Sequence, residues 1–252
     1  MSLLHTLKHF LRPSARTRRH PESDPAMAYD RWSIRYDDQP NNLMLALDER
    51  LFGGMLSAVP ITGRVVADVG CGTGRHWRKL LDHSPARLAG YDVSTGMLTI
   101  LRTKFPDAEI HLLHDHTLAG LGTASCDLLI STLTIAHLPD LRAALAEWNR
   151  VLKPGGHLLI TDYHPAALGK GGQRTFREGD QLIAVRNRIY PIPKVLAVAH
   201  RLGLTEFSLV ERKVDDTMRP WYEQQNALPV FRRFLGVPII YGLHLTKPDA
   251  PQ

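Results

Sequence analysis

The residue types and spacings that could do chemistry begin at 64–74, RVVADVGCGTG, where Asp68 is followed by Gly70, Gly72 and Gly74. Those glycines remove every second Cβ, so the backbone can take positive φ and come within contact distance of a ligand that a side-chain-bearing residue would exclude. The same pattern is also what a tight strand-to-helix turn requires. A second acid, Asp92 in RLAGYDV (87–93), falls about twenty residues past the glycines, the separation at which a carboxylate accepts hydrogen bonds from ribose hydroxyls. Ser94 is the better cap for the helix that follows, which leaves Asp92 to a ligand. Asp115 stands between His114 and His116. A His-Asp-His run suggests a metal, but alternate residues of an extended chain point to opposite sides and no further His/Cys cluster completes a site, so no metal is expected. His137 and His164, the latter in Asp162-Tyr163-His164-Pro165, are side chains able to take a proton near neutral pH.

Elements of alternating type must position these residues. Val65, Val66, Ala67 and Val69 form a β-branched run suited to a parallel strand covered on both faces. A helix over 75–82 follows and points its N-terminal N–H groups at the glycine loop. Strands are expected at 87–93, 109–113 and 126–132, helices after Ser94 and over 141–152, and a fifth strand after the turn KPGG. Leu43, Leu47 and Leu51, with Leu45 alongside, mark an earlier amphipathic helix. Beyond Pro165, Thr175–Arg177 and Leu182–Val185 pair as a hairpin around Glu178-Gly179-Asp180, a lid or substrate-facing insertion. A helix over 195–202 stops at Gly203, and strands follow at 205–214 and 236–246. Between those strands lie Trp221, Tyr222, Phe231 and Phe234, either the core of a small helix or one wall of an apolar pocket.

A dinucleotide fingerprint, G-x-G-x-x-G, would need its third glycine where Arg75 stands. The spacing here is G-x-G-x-G with Asp68 upstream. This resembles motif I of the class I S-adenosylmethionine-dependent methyltransferases. The opening YDRWS…YD, the run CDLLIST through LTIAHL to LKPGG, and the order of all these motifs resemble the ubiquinone/menaquinone-type small-molecule branch, over 29–164. The resemblance implies a Rossmann-like, seven-stranded, mostly parallel α/β sheet of order 3-2-1-4-5-7-6, its last strand antiparallel, with helices on both faces. It implies S-adenosylmethionine as cofactor, with the loop under the methionine part, Asp68 at the ammonium group, Asp92 at the ribose, Val93 and Met97 beside the adenine and Asp115 at its amino group. Gly70, Cys71, Gly72, Gly74, His116, Ser131 and His137 complete the implied cofactor site, with Tyr36 among the aromatics (Tyr29, Trp32, Tyr36) that either close over the cofactor or pin an N-terminal helix to the sheet.

Methyl transfer to a small molecule, slightly favouring oxygen, is the function this implies. If the acceptor is a hydroxyl, a base is expected: His164 first, because it leaves the fifth strand at its carboxyl end, then His137, with Asp162 orienting either ring. His164 is otherwise a loop residue capping backbone. Ser131-Thr132-Leu133-Thr134 stands where methyltransferases of nucleic-acid bases carry Asn or Asp, prolines and an aromatic, so no nucleic-acid substrate is expected. The alternatives are a cofactor-binding but non-catalytic partner in a biosynthetic assembly, and a nicotinamide-dependent oxidoreductase, which the glycine spacing disfavours.

The net charge of +6 does not contradict this. Lys8, Arg12, Arg16, Arg18 and Arg19 face no acid within 1–20, so the remainder carries only +1. The expected organisation is a basic segment over 1–25, amphipathic or disordered, and one domain over 26–252 with insertions near 165–190 and 215–236. Leu3, Leu4, Leu7, Phe10 and Leu11 share a helical face, suited to a membrane surface, a partner or the chain's own domain. Without an apolar run of spanning length, and with two cysteines that form no framework, a cytoplasmic and at most membrane-peripheral protein is expected. Oligomeric state is not readable.

Overall fold

The computed structural model describes residues 21–39 and 41–249. The basic segment read over 1–20, with its membrane or partner contact, lies outside them. The strands are β1 (Glu22–Ser23), β2 (Val65–Val69), β3 (Arg87–Asp92), β4 (Glu109–Leu112), β5 (Cys126–Thr132), β6 (Leu152–Tyr163), β7 (Thr175–Glu178), β8 (Gln181–Val185), β9 (Thr205–Lys213) and β10 (Pro238–Thr246). The helices are α1 (Pro25–Tyr36), α2 (Leu43–Leu56), α3 (Trp77–Asp82), α4 (Thr95–Lys104), α5 (Leu141–Val151), α6 (Pro165–Gly169), α7 (Ile192–Arg201), α8 (Arg219–Gln224) and α9 (Leu228–Phe234).

Seven strands form the main sheet in the order β4-β3-β2-β5-β6-β10-β9. Counted along the sheet's own strands this is 3-2-1-4-5-7-6. β10 runs antiparallel to both neighbours, and the other pairings are parallel. The apolar runs of β2 and β5 are buried on both faces because alternate residues feed separate cores. Leu128, Ile130 and Leu159 pack with α2, α3, α4, α8 and α9, while Leu129, Leu158 and Ile160 pack with α5 and α7. Parallel β2 and β5 diverge at their carboxyl ends, the switch point where open α/β sheets bind ligands.

A second, three-stranded sheet, β1-β8-β7, lies outside the first. Its hairpin is the expected one: Glu178 pairs with Gln181 and Gly179 takes φ +55 in the two-residue turn. The addition of β1 corrects the expected boundary after residue 25. Glu22 and Ser23 pair in parallel with Ala184 and Val185, and Asp24 caps α1 by accepting from Ala26 N–H at 3.1 Å. The chain is already part of the fold at 21–25 because β8 has a free edge for it. Ala28, Phe176, Ile183 and Val185, with Tyr29 and Trp32, make a small core between α1 and this sheet. The result is a roof over the carboxyl ends of β2, β3 and β5.

The aromatics of 215–236 belong to the core. Tyr222, Phe231 and Phe234 are buried with Val230 and Ile239 under the main sheet. That stretch is therefore not a substrate-facing insertion.

Candidate active site

A cavity of about 270 Å³ opens between the sheet's carboxyl edge and the roof. β2 delivers Asp68 to it, then Gly70, Cys71 and Gly72; β3 delivers Asp92 and Val93; α4 delivers Met97; Asp115 and His116 follow β4; His137 follows β5; Tyr29 and Tyr36 come down from α1. The acids are at strand ends because a buried strand can carry a carboxylate only where its last residue meets a ligand or a donor.

Asp68 and Asp92 are both buried. Asp68 accepts from Trp77 Nε1–H at 2.9 Å through one oxygen, leaving the other toward the cavity. Asp92 accepts from Gly72 N–H at 2.8 Å and Ser94 N–H at 2.9 Å. Burial dominates over these donors and pushes both carboxyls up to about 6. Ser94 caps α4 as expected, its hydroxyl accepting from Met97 N–H and donating to Asp30, so each Asp92 oxygen, with one backbone donor, still has acceptor capacity. Asp115 borders the cavity but is exposed, with one oxygen accepting from Thr117 N–H at 2.7 Å.

The glycines divide the work. A Cβ on Gly72 (φ +55) would meet nothing within 4 Å, so the space over it is free for a ligand. On Gly70 (φ +77) a Cβ would fall 2.1 Å from Thr134 Oγ1, so this glycine lets the β5 exit pack on the loop. Gly74 does not border the cavity; its Cβ would press on Leu101 at 3.0 Å, so it serves the packing of α4. Ser131 is also off the cavity, buried within β5, and Thr132, Leu133 and Thr134 take its place. α3 starts at Trp77, two residues later than expected, with the turn 72–76 ahead of it.

His164 is not in the cavity. Its Nδ1 accepts from Ala166 N–H at 3.1 Å, capping α6, and its Nε2–H donates to Glu211 Oε1 on β9 at 2.6 Å. Both ring nitrogens are engaged beyond the end of β6, so the structure does not bring the expected base to the cavity. Asp162 orients neither histidine. It pairs with the Arg174 guanidinium and accepts from Ala136 N–H at 2.6 Å and Tyr163 N–H at 2.7 Å. Burial raises its pKa, against the pull of Arg174.

Arg174, just ahead of β7, is the residue that the sequence reading missed. It is 4% exposed. Besides Asp162 it donates to Leu133 O and to His137 Nε2, and lies 3.4 Å from Tyr29 Oη and 4.7 Å over the Tyr163 ring. His137 Nδ1–H donates to Arg186 O at 3.0 Å, so its Nε2 is the acceptor, also met by Tyr29 O–H at 2.8 Å. Burial and the facing guanidinium push the His137 pKa well below its ordinary value. One buried arginine thus ties the end of β6, the β5 exit and α1 together.

Further polar anchors hold the cover and the loop. Asp30 of α1 accepts from Ser94 Oγ–H at 2.7 Å and Gly96 N–H at 2.8 Å, and Asp37 accepts from Thr73 Oγ1–H at 2.7 Å. Below the glycine loop, buried Asp48 of α2 accepts from Arg75, His76 and Thr161. Trp32 stacks on Phe176 with ring centroids 5.3 Å apart, so of the three α1 aromatics Tyr29 and Tyr36 border the cavity and Trp32 pins the helix to the roof.

Residues 67–160 match the family described as Methyltransferase domain. A malonyl-[acyl-carrier protein] O-methyltransferase of Yersinia pestis is 38% identical over 115 residues, 44% of this chain and 41% of that protein. The chain thus spans about two-fifths of that relative's length. Among solved structures, geranyl diphosphate C-methyltransferase from Streptomyces coelicolor A3(2) superposes with a TM-score of 0.61 at 13% identity, covering 92% of each chain. The [4+2]-cyclase SpnF superposes with a TM-score of 0.66 at 17% identity, covering 92% of this chain and 99% of that one. These structural likenesses establish the fold, and none of the matches singles out the quinone branch. Residues 67–160 thus carry a methyltransferase domain, and the sheet has the fold of the class I S-adenosylmethionine-dependent methyltransferases.

Proposed function

We propose that this chain moves a methyl group from S-adenosylmethionine to a small molecule bound beneath the roof, oxygen being the favoured acceptor atom. The observation that carries the reading is the pair of buried carboxylates at adjacent strand ends, facing a cavity whose floor has free space over Gly72. A ligand with an ammonium group and a ribose diol fits them: Asp68 holds the former, Asp92 accepts from the latter. Val93 and Met97 flank the base, with Asp115 and His116 at its polar edge. Gly70, Cys71 and Gly72 present backbone to the amino-acid end, and Tyr36 covers it.

The cofactor brings an electrophilic methyl on a sulfonium, a good leaving group. The protein's part is to align a nucleophile with it and exclude water, which the α1 and β1-β8-β7 roof does. The Yersinia pestis relative is named an O-methyltransferase, which supports oxygen as the acceptor atom. SpnF shows that the fold also serves a protein named as a cyclase, so cofactor binding and turnover are tested separately. Calorimetry with S-adenosylhomocysteine and with NADH tests the site: tight binding of the first alone, lost on Asp92→Ala, is expected. Preference for NADH, or undiminished affinity in the variant, refutes it. Release of S-adenosylhomocysteine against phenols, quinols, amines, thiols and carboxylates tests turnover, and its absence throughout favours a non-catalytic partner.

A further inference from the structure

The end of the cavity beside His137 is rich in donors and cations and, among the described residues, holds no free base. His137 has one lone pair, at Nε2, and both Tyr29 O–H and Arg174 Nη1 point at it. Both oxygens of Asp162 are taken. His164 is spent on Ala166 and Glu211. His76 is buried on Asp48. His114 and His116 follow β4, at the part of the cavity assigned above to the cofactor's base. Asp24, at the mouth, accepts from Ala26 N–H and lies 3.7 Å from Arg186. Burial raises the pKa of Tyr29 and Tyr36, keeping both as O–H donors.

The exit of β8 adds charge at the same place. Arg188 N–H donates to Ala136 O at 2.7 Å and Arg186 O accepts from His137, so the segment 186–188 crosses directly over the 135–137 turn. The side chains of Arg186 and Arg188 border the cavity there, both on exposed residues, and Asp24 lies 3.7 Å from Arg186.

We propose that the acceptor is a carboxylate, received by the guanidinium groups of Arg186 and Arg188 at the mouth of the cavity. This rests on the methyl-transfer reading and names its substrate class. A carboxylate is already ionised at neutral pH and needs no base, whereas an alcohol must lose a proton that nothing here can take. One carboxylate oxygen forms the O–CH3 bond with its lone pair as the S–CH3 bond breaks. The bonding pair stays on sulfur, the sulfonium becomes a thioether, and a neutral methyl ester leaves with no proton released. The planar guanidinium fork matches a carboxylate's two oxygens.

The test uses methyl-labelled S-adenosylmethionine and matched sets of straight-chain and aryl carboxylates, alcohols, phenols, thiols and amines. Carboxylates are expected to take the label in a form that mild alkali releases as volatile methanol, at a rate flat from pH 7 to 9. The groups facing the acceptor are Arg186, Arg188, Tyr29, His137, Arg174 and Asp24; burial holds Tyr29 protonated and His137 neutral in that range. Arg186→Ala/Arg188→Ala should raise KM for the carboxylate at least tenfold with S-adenosylhomocysteine affinity unchanged. Alkali-stable label, a rate climbing with pH, or an unmoved KM overturns the proposal. If no acceptor turns over, calorimetry of the same carboxylates on the S-adenosylhomocysteine complex decides: binding lost in the double variant supports it, and equal or absent binding overturns it. Failure to bind S-adenosylhomocysteine at all would instead fault the methyl-transfer reading.

Discussion

Acidification should weaken cofactor binding through Asp68. The carboxyl, held up to about 6 by burial, meets the ligand's ammonium, and ion pairing lowers its pKa in the complex. The complex therefore binds fewer protons than the free protein, so affinity is full above about 6 and is lost as pH falls through it. Between pH 7 and pH 5 the ionised fraction drops from roughly nine-tenths to one-tenth, a loss of about tenfold, or about 1.4 kcal/mol. Asp92 sits at the same pKa but receives hydroxyls, which a protonated carboxyl still accepts through one oxygen, so it adds less. Calorimetry with S-adenosylhomocysteine at pH 7, 6 and 5 is the assay, on wild type, Asp68→Asn and Asp92→Asn. Asp68→Asn should bind more weakly at pH 7 and lose the slope, while Asp92→Asn keeps it. A flat wild-type profile, or the same slope in Asp68→Asn, would refute the assignment of Asp68 to the ammonium group.

Four other outcomes follow from the geometry. Gly72→Ala should fold with a cost of about 1 kcal/mol, as a non-glycine residue at positive φ incurs, yet lose most cofactor affinity by filling the open space. Gly70→Ala should instead melt lower by about 1–3 kcal/mol, relieved in part by Thr134→Ala, which removes the facing hydroxyl; denaturant titration separates the two. Arg174→Met leaves Asp162 buried without its cation and should cost about 3–5 kcal/mol in the same titration, with Arg174→Lys less severe. His164→Ala should cost about 1 kcal/mol as a lost cap and leave turnover and cofactor affinity intact, contrary to a base role.

Much of the frame was legible because each signal was local. A β-branched run with an acid ahead of three glycines marked β2, an apolar run ending in an acid marked β3, the motif order carried the sheet's permutation, and Glu178-Gly179-Asp180 announced its hairpin. Asp92 was separable from a capping role because Ser94 stood ready as the better cap. The misreadings arose where a side chain's partner lies far along the chain. Nothing around His164 reveals that Glu211, two strands across the sheet, holds its Nε2. Arg174 sits in a glycine-punctuated polar run with no periodicity, and its burial depends on Asp162, Leu133 and His137. Asp48 did leave a trace, as an acid at helical spacing from Met44, Leu51 and Met55 on the apolar face of α2. β1 is too short, at two residues, for alternation to show.

The roof's construction bears on how the domain folds and breathes. Glu22 pairs with Ala184, so closing that contact comes late, after the sheet's nearer pairings have shortened the intervening chain. Its core is a handful of side chains separate from the two that sandwich the main sheet. Such a unit opens at a free energy below that of global unfolding, as a cooperative piece of its own. How easily the cavity opens is then set by how firmly Arg174 and Asp30 tether the cover rather than by the stability of the sheet beneath it.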